Sequence, residues 1–149
     1  MVGRRVGAGD APGLRAAFRA NMAWALALAL VLALAVLAFG PAGIRVMTGI
    51  EEVRATALAY LPYLILAPVV SVWAFLLDGV FIGATRTAEM RNGMAVSLVA
   101  FALAAWLLMP LWGNHGLWLS LLLLMSARGL WLGVIYARHE PEAWLPARL

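Results

Sequence analysis

The chain is 149 residues long, 65% hydrophobic and only 12% charged, with a net charge of +4. A soluble domain carries about 25% charged residues, so this composition excludes an ordinary water-exposed surface. All eleven basic residues are arginine and flank apolar segments, which excludes a nucleic-acid patch and points to membrane topology. Cysteine is absent, so a metal-thiolate site is excluded as well.

Three stretches, residues 20–44, 55–77 and 92–127, contain no Asp, Glu, Lys or Arg. A spanning helix needs about 20 such residues, and the third stretch is long enough for a helix, a turn and part of another. Only helices satisfy their own backbone polar groups in lipid without closing into a barrel. The pattern predicts an all-α, polytopic membrane protein with a transmembrane region over residues 22–136. A cytoplasmic tail of residues 1–21 precedes it and a second, of residues 137–149, follows it.

The first predicted helix, 22–39, is almost entirely Ala, Leu and Val. It exceeds the roughly 7–15 apolar residues of a signal-peptide core and reads as a retained span. The second, 56–84, contains Pro62 and Pro68. Each proline removes a backbone hydrogen bond and can bend a helix, although membrane helices also tolerate proline without function. The third helix covers 93–111 and the fourth 116–136. Trp112 and Trp118 bracket the turn between them, as interfacial aromatics do. In that turn, His115 follows Asn114 and precedes Gly116, a setting that suits a structural histidine. His139 lies in the polar tail.

Arginine placement orients the bundle. With the N-terminus in the cytoplasm, that side holds eight arginines (Arg4, Arg5, Arg15, Arg19, Arg86, Arg91, Arg138 and Arg148) and the opposite side two, Arg45 and Arg54. The bias predicts a multi-pass protein of the inner (plasma) membrane with both tails cytoplasmic. Arg86, Glu89 and Arg91 read as solvated charges of a short inner loop.

Asp78 is the candidate functional residue. It lies in an apolar run, Leu76-Leu77-Asp78-Gly79-Val80-Phe81-Ile82-Gly83. An intramembrane ionisable residue is costly and by default marks function. At 1.5 Å per residue, Asp78 lies about 12 Å inward of Arg86, and Arg128 lies about 15 Å inward of Arg138. Their helices run in the same direction, so an ion pair is geometrically available. Asp78 reads either as a proton- or cation-responsive site or as half of a structural pair with Arg128. Each charge is followed by a GxxxG spacing, Gly79 with Gly83 and Gly129 with Gly133, which suits close helix packing. No enzyme motif is present: no HExxH, GxSxG, P-loop or paired-carboxylate cluster. Gly7-Ala8-Gly9-Asp10 has no strand before it and no βαβ unit after it. Neither a catalytic residue, a metal site nor a cofactor is expected.

The run Leu76-Leu77-Asp78-Gly79-Val80-Phe81-Ile82-Gly83-Ala84-Thr85, followed by Met90-Arg91-Asn92-Gly93-Met94, resembles the multidrug and toxic compound extrusion (MATE) transporters, in their DNA-damage-inducible branch. Gly113-Asn114-His115-Gly116-Leu117-Trp118 and Arg128-Gly129 are similar to later segments of the same branch. The opening Val2-Gly3-Arg4-Arg5-Val6-Gly7-Ala8-Gly9-Asp10 resembles the inner end of the family's eighth helix and the loop after it. The resemblance implies a partial C-terminal lobe, helices nine to twelve, of a twelve-helix transporter with two lobes around a central cavity. It implies export of cationic or amphipathic small molecules in exchange for protons or sodium, with the lipid bilayer as surroundings. Asp78 matches the tenth-helix acid that belongs to the cation site in the sodium-linked branch. The N-terminal lobe, with its own acidic proton site, has no counterpart, nor do the seventh helix and most of the eighth. The expectation is therefore a truncated chain or fragment, not active alone. The competing reading is a free-standing four-helix membrane protein acting as a dimer or scaffold, although the first helix lacks the acid that small multidrug pumps carry there.

Overall fold

The computed structural model describes residue 8 and residues 10–138, apart from the side chains of residues 11 and 14. Readings that concern Arg4, Arg5, His139, Arg148 and most of the Gly7-Ala8-Gly9-Asp10 stretch lie outside the described residues. Among the described residues four helices follow one another: α1 (Ala11–Met47), α2 (Glu51–Gly83), α3 (Thr87–Trp112) and α4 (Asn114–Arg138). All four are long and apolar enough to cross a membrane. Among the described residues there is no strand.

The helices run past the apolar stretches that announce them. α1 begins at Ala11 because the Asp10 side chain accepts a hydrogen bond from the Gly13 amide at 2.9 Å and Pro12 sits in the first turn. Both are helix-start signals. With 37 residues, α1 is about 55 Å long, well beyond a hydrocarbon core of about 30 Å. It also contains Pro41, so the expected loop at residues 40–55 shrinks to Thr48, Gly49 and Ile50. Arg54 fastens that turn, donating from Nε to the Thr48 carbonyl at 2.8 Å and from a terminal nitrogen to the Arg45 carbonyl at 3.0 Å. Glu51 and Glu52 open α2, where acidic side chains meet the positive end of the helix dipole. The expected inner loop at residues 85–92 is likewise short, because Thr87 already begins α3.

The α2–α3 turn has an unusual occupant. The Arg86 amide donates to the Phe81 carbonyl at 2.9 Å and the Thr85 amide donates to the Ile82 carbonyl at 3.0 Å. That pair of bonds is a Schellman motif, which calls for glycine at the left-handed position. Here the residue is Thr85, at φ 58°. At the other turn Gly113 takes φ 55°, where a side chain would be strained.

Packing builds two antiparallel hairpins, α1 on α2 and α3 on α4, joined where α2 lies parallel to α4. α2 and α3 barely touch. Leu77, Val80, Phe81, Ala84 and Leu132 form the central cluster, between the second half of α2 and α4. Elsewhere the interior is made mostly of small residues, with Val72 the larger exception: Ala29 and Ala33 on α1, Ala74 on α2, Ser97 and Ala104 on α3, Ser120 on α4. Lipid tails are as apolar as leucine, so these helices gain by backbone approach rather than by hiding hydrocarbon. The two buried serines return their hydroxyls to their own helices, Ser97 to the Gly93 carbonyl at 2.6 Å and Ser120 to the Gly116 carbonyl at 2.7 Å. Large apolar side chains such as Trp24, Phe39, Phe75, Trp106 and Leu130 point outward.

Candidate functional site: a charged pair between α2 and α4

The depth argument placed Asp78 and Arg128 at one level, and the structure brings them into contact. Arg128 Nε donates to Asp78 Oδ1 at 3.1 Å, and Nη2 lies 2.9 Å from Oδ2. Two parallel bonds from one guanidinium to one carboxylate are the strong, geometrically specific form of this pair. Both side chains are largely buried, Arg128 at 12% exposure and Asp78 at 14%. The third nitrogen, Nη1, donates to the Met94 thioether at 2.7 Å. Arg128 thereby ties α4 to α2 by charge and to α3 by a softer contact, although α2 and α3 hardly meet. Met94 carried no signal as a partner, because a thioether inside an apolar helix reads as packing.

Glycine lets the two charged helices close. A Cβ placed on Gly129 would lie 3.4 Å from both the Ala74 nitrogen and the Trp73 Cβ, so α4 rides on the α2 backbone there. One turn on, a Cβ at Gly133 would meet Leu77 Cδ1 at 3.7 Å. The expected packing role of Gly79 is not realised: it faces open space, and a Cβ there would meet nothing within 4 Å. Its partner Gly83 is half-buried. The spacing is identical in the two helices, but only that of α4 is rotated toward a neighbour. A close approach of another kind sits beside Met94, where a Cβ on Gly93 would fall 2.8 Å from Trp131 Cδ1.

α2 stays helical through Pro62 and Pro68. Near the second proline, Ser71 donates its hydroxyl to the Ala67 carbonyl at 2.5 Å, a bond that commonly accompanies helix bending. At the end of the bundle remote from Arg86, Tyr63 and His115 Nδ1 lie 3.0 Å apart, and the rings of Tyr60 and Trp118 pack around them. His115 is thus part of an aromatic clasp between α2 and α4 rather than a bare turn residue. At the opposite end, Arg86 and Glu89 are not simply solvated; they pair at 2.8 Å and are half-buried. Among the described residues no three His, Cys, Asp or Glu side chains gather as metal ligands would.

A multi-pass α-helical membrane protein with a charged pair bridging two parallel spans is the class that fold and site define. The MatE family model matches residues 1–111, and the chain belongs to that family. It is 42% identical over 137 residues to DNA damage-inducible protein F of Escherichia coli (strain K12), an alignment covering 92% of this chain and 30% of that protein. The chain thus spans about a third of the length of the curated relative it matches. No solved structure matches.

Proposed function

We propose that this chain forms part of a secondary active multidrug transporter, exchanging cationic or amphipathic compounds for protons or sodium across the inner membrane. Its ends would face the cytoplasm, and it would act with the portion of the transporter that it does not span. The observation that carries the reading is the forked Asp78–Arg128 pair, held in apolar surroundings between two parallel spans. A proton or cation taken up by Asp78 competes with Arg128 for the same two oxygens. Neutralising the carboxylate removes the charge assistance from the fork and weakens the hold of Arg128 on α2, while its contact with Met94 stays. The contact between α2 and α4 then changes, which is the kind of two-state packing that a coupling ion can bias. The prolines of α2 lie on the other half of the same helix, and bent helices beside an ionisable group are a recurrent transporter feature.

The second reading is that the pair is a structural lock. What favours it is that every guanidinium nitrogen of Arg128 already has a partner. Asp78→Asn, in a transporter carrying this segment, separates the two. The coupling reading expects folded protein with resistance and drug-driven proton or sodium flux abolished. Full coupling with normal expression would remove Asp78 from the mechanism, and poor folding with residual coupling would favour the lock.

A further inference from the structure

Arg128 grips Asp78 side-on, through Nε and Nη2, which leaves Nη1 turned toward α3. There it meets the Met94 sulfur at 2.7 Å. A thioether is a weak, uncharged acceptor, yet the backbone around this one is held in place. Trp131, three residues after Arg128, shares its face of α4. It lies against Gly93, where an added Cβ would fall 2.8 Å from Trp131 Cδ1 and 3.5 Å from Leu132 Cδ2. Ser97, fully buried one turn further along α3, donates its hydroxyl to the Gly93 carbonyl at 2.6 Å. Met94 itself is 48% exposed, so its place follows from this backbone contact rather than from enclosure of its own side chain.

Building on the coupling role proposed above for Asp78, we infer that Met94 is a positioning residue for that site: its sulfur engages Nη1 and so presents the Nε–Nη2 edge of Arg128 to the carboxylate. The five donors of a planar guanidinium allow a second fork, end-on, through Nη1 and Nη2. With Nη1 engaged by Met94, that fork is unavailable and the side-on one is set in advance. Preorganisation strengthens an interaction by cutting the cost of ordering it. A proton or cation arriving at Asp78 therefore competes with a guanidinium that is already aligned. The weakness of the thioether matters as well. A carboxylate at position 94 would rival Asp78 for the charge, and a leucine there would offer Nη1 no acceptor. The sulfur satisfies the nitrogen without rivalling the carboxylate. A role in packing alone has a different consequence, because leucine has nearly the volume of methionine and should replace it at little cost.

Two measurements test the role. In the 149-residue chain in micelles, Met94→Leu should raise the unfolding constant about fivefold in the parent but less than about twofold in an Arg128→Met background, since the lost bond needs the guanidinium. In a reconstituted transporter carrying this segment, with ethidium as the exported cation and protons or sodium titrated in turn, Met94→Leu should lower the ion concentration for half-maximal exchange about threefold, while the KM for ethidium stays within about twofold. Met94→Gln, whose side-chain oxygen accepts from Nη1, should return the ion dependence toward that of the parent. Circular dichroism checks that each variant keeps its helices, and the leucine variants decide the matter if Met94→Gln does not fold. Equal costs of Met94→Leu in the two backgrounds, an unmoved ion dependence in Met94→Leu while Asp78→Asn is inactive, or no recovery in a folded Met94→Gln would each overturn the inference and leave the coupling reading standing. Full exchange in Asp78→Asn would overturn the coupling reading, and the role of Met94 with it.

Discussion

Removing one member of the Asp78–Arg128 pair should cost far more than removing both. In Asp78→Leu the guanidinium keeps its charge, its 12% exposure and the Met94 contact, but loses both carboxylate bonds. An uncompensated buried charge destabilises by about 3–5 kcal/mol, and the same range applies to Arg128→Met, which strands the carboxylate. In the double variant neither charge remains, and apolar side chains of similar volume fill the site. That exchange is often neutral or stabilising, so the double variant should sit within about 1 kcal/mol of the parent. The coupling in the cycle is then at least about 5 kcal/mol, above the roughly 3 kcal/mol that marks strongly interacting neighbours. Denaturant unfolding in detergent micelles, followed by tryptophan fluorescence, reads all four corners. Because the side chains are not exposed, raising salt from low to near-molar concentration should change the coupling little. Single variants costing under about 1 kcal/mol, or losses that simply add in the double, would mean that the pair is open to water and would refute the reasoning.

Local geometry sets the outcome of four further substitutions. Gly129→Val should destabilise by about 1–3 kcal/mol, since its Cβ lands 3.4 Å from the α2 backbone and the side chain forces the helices apart, whereas Gly79→Ala should be neutral or stabilise by up to about 1 kcal/mol; the same micelle unfolding assay ranks them. Thr85→Gly should stabilise by about 1 kcal/mol by relieving a β-branched residue at φ 58°, seen as a raised melting temperature. Leu132→Ala empties a fully buried site, but lipid is as apolar as the core, so the cost is chiefly that of the cavity, about 2 kcal/mol, and xenon or benzene should restore part of it.

The order, number and class of the helices were legible because lipid leaves so few options. Uncharged runs of the necessary length can only be spans, and the residues flanking them are where spans end. The ends themselves were less legible. Hydropathy marks where a helix leaves hydrocarbon, not where it stops being a helix, so α1 reaches back to Ala11 through Arg19 and Arg15, and α2 reaches back to Glu51. The Asp10 cap with Pro12 did carry that signal, in side-chain chemistry rather than in hydropathy. At the site, depth was readable from spacing and rotation was not. Counting residues from Arg86 and Arg138 put two charges at one level, whereas a helix apolar on every side gives no hint of which face meets a neighbour. For that reason Gly79 and Gly129 looked equivalent, and only Gly129 touches another helix. Met94 was hidden for the same reason.

The arrangement gives Arg128 more leverage than a pair between two well-packed neighbours would have. α2 and α3 make little direct contact, so their relative placement is transmitted through α4, which packs against both. Arg128 sits where that transmission happens, with two nitrogens on the α2 carboxylate and one on the α3 thioether. The two attachments differ in kind. The two carboxylate bonds draw their strength from charge and weaken when Asp78 is neutralised; the thioether bond does not depend on the state of Asp78. Neutralising Asp78 therefore does not free Arg128 at random. It leaves α4 attached to α3 while its hold on α2 weakens, so the predicted movement is of one hairpin, α3 with α4, against the other, α1 with α2. The small-residue contact of Gly129 and Gly133 along Trp73, Ala74 and Leu77 is the surface on which such a displacement would slide.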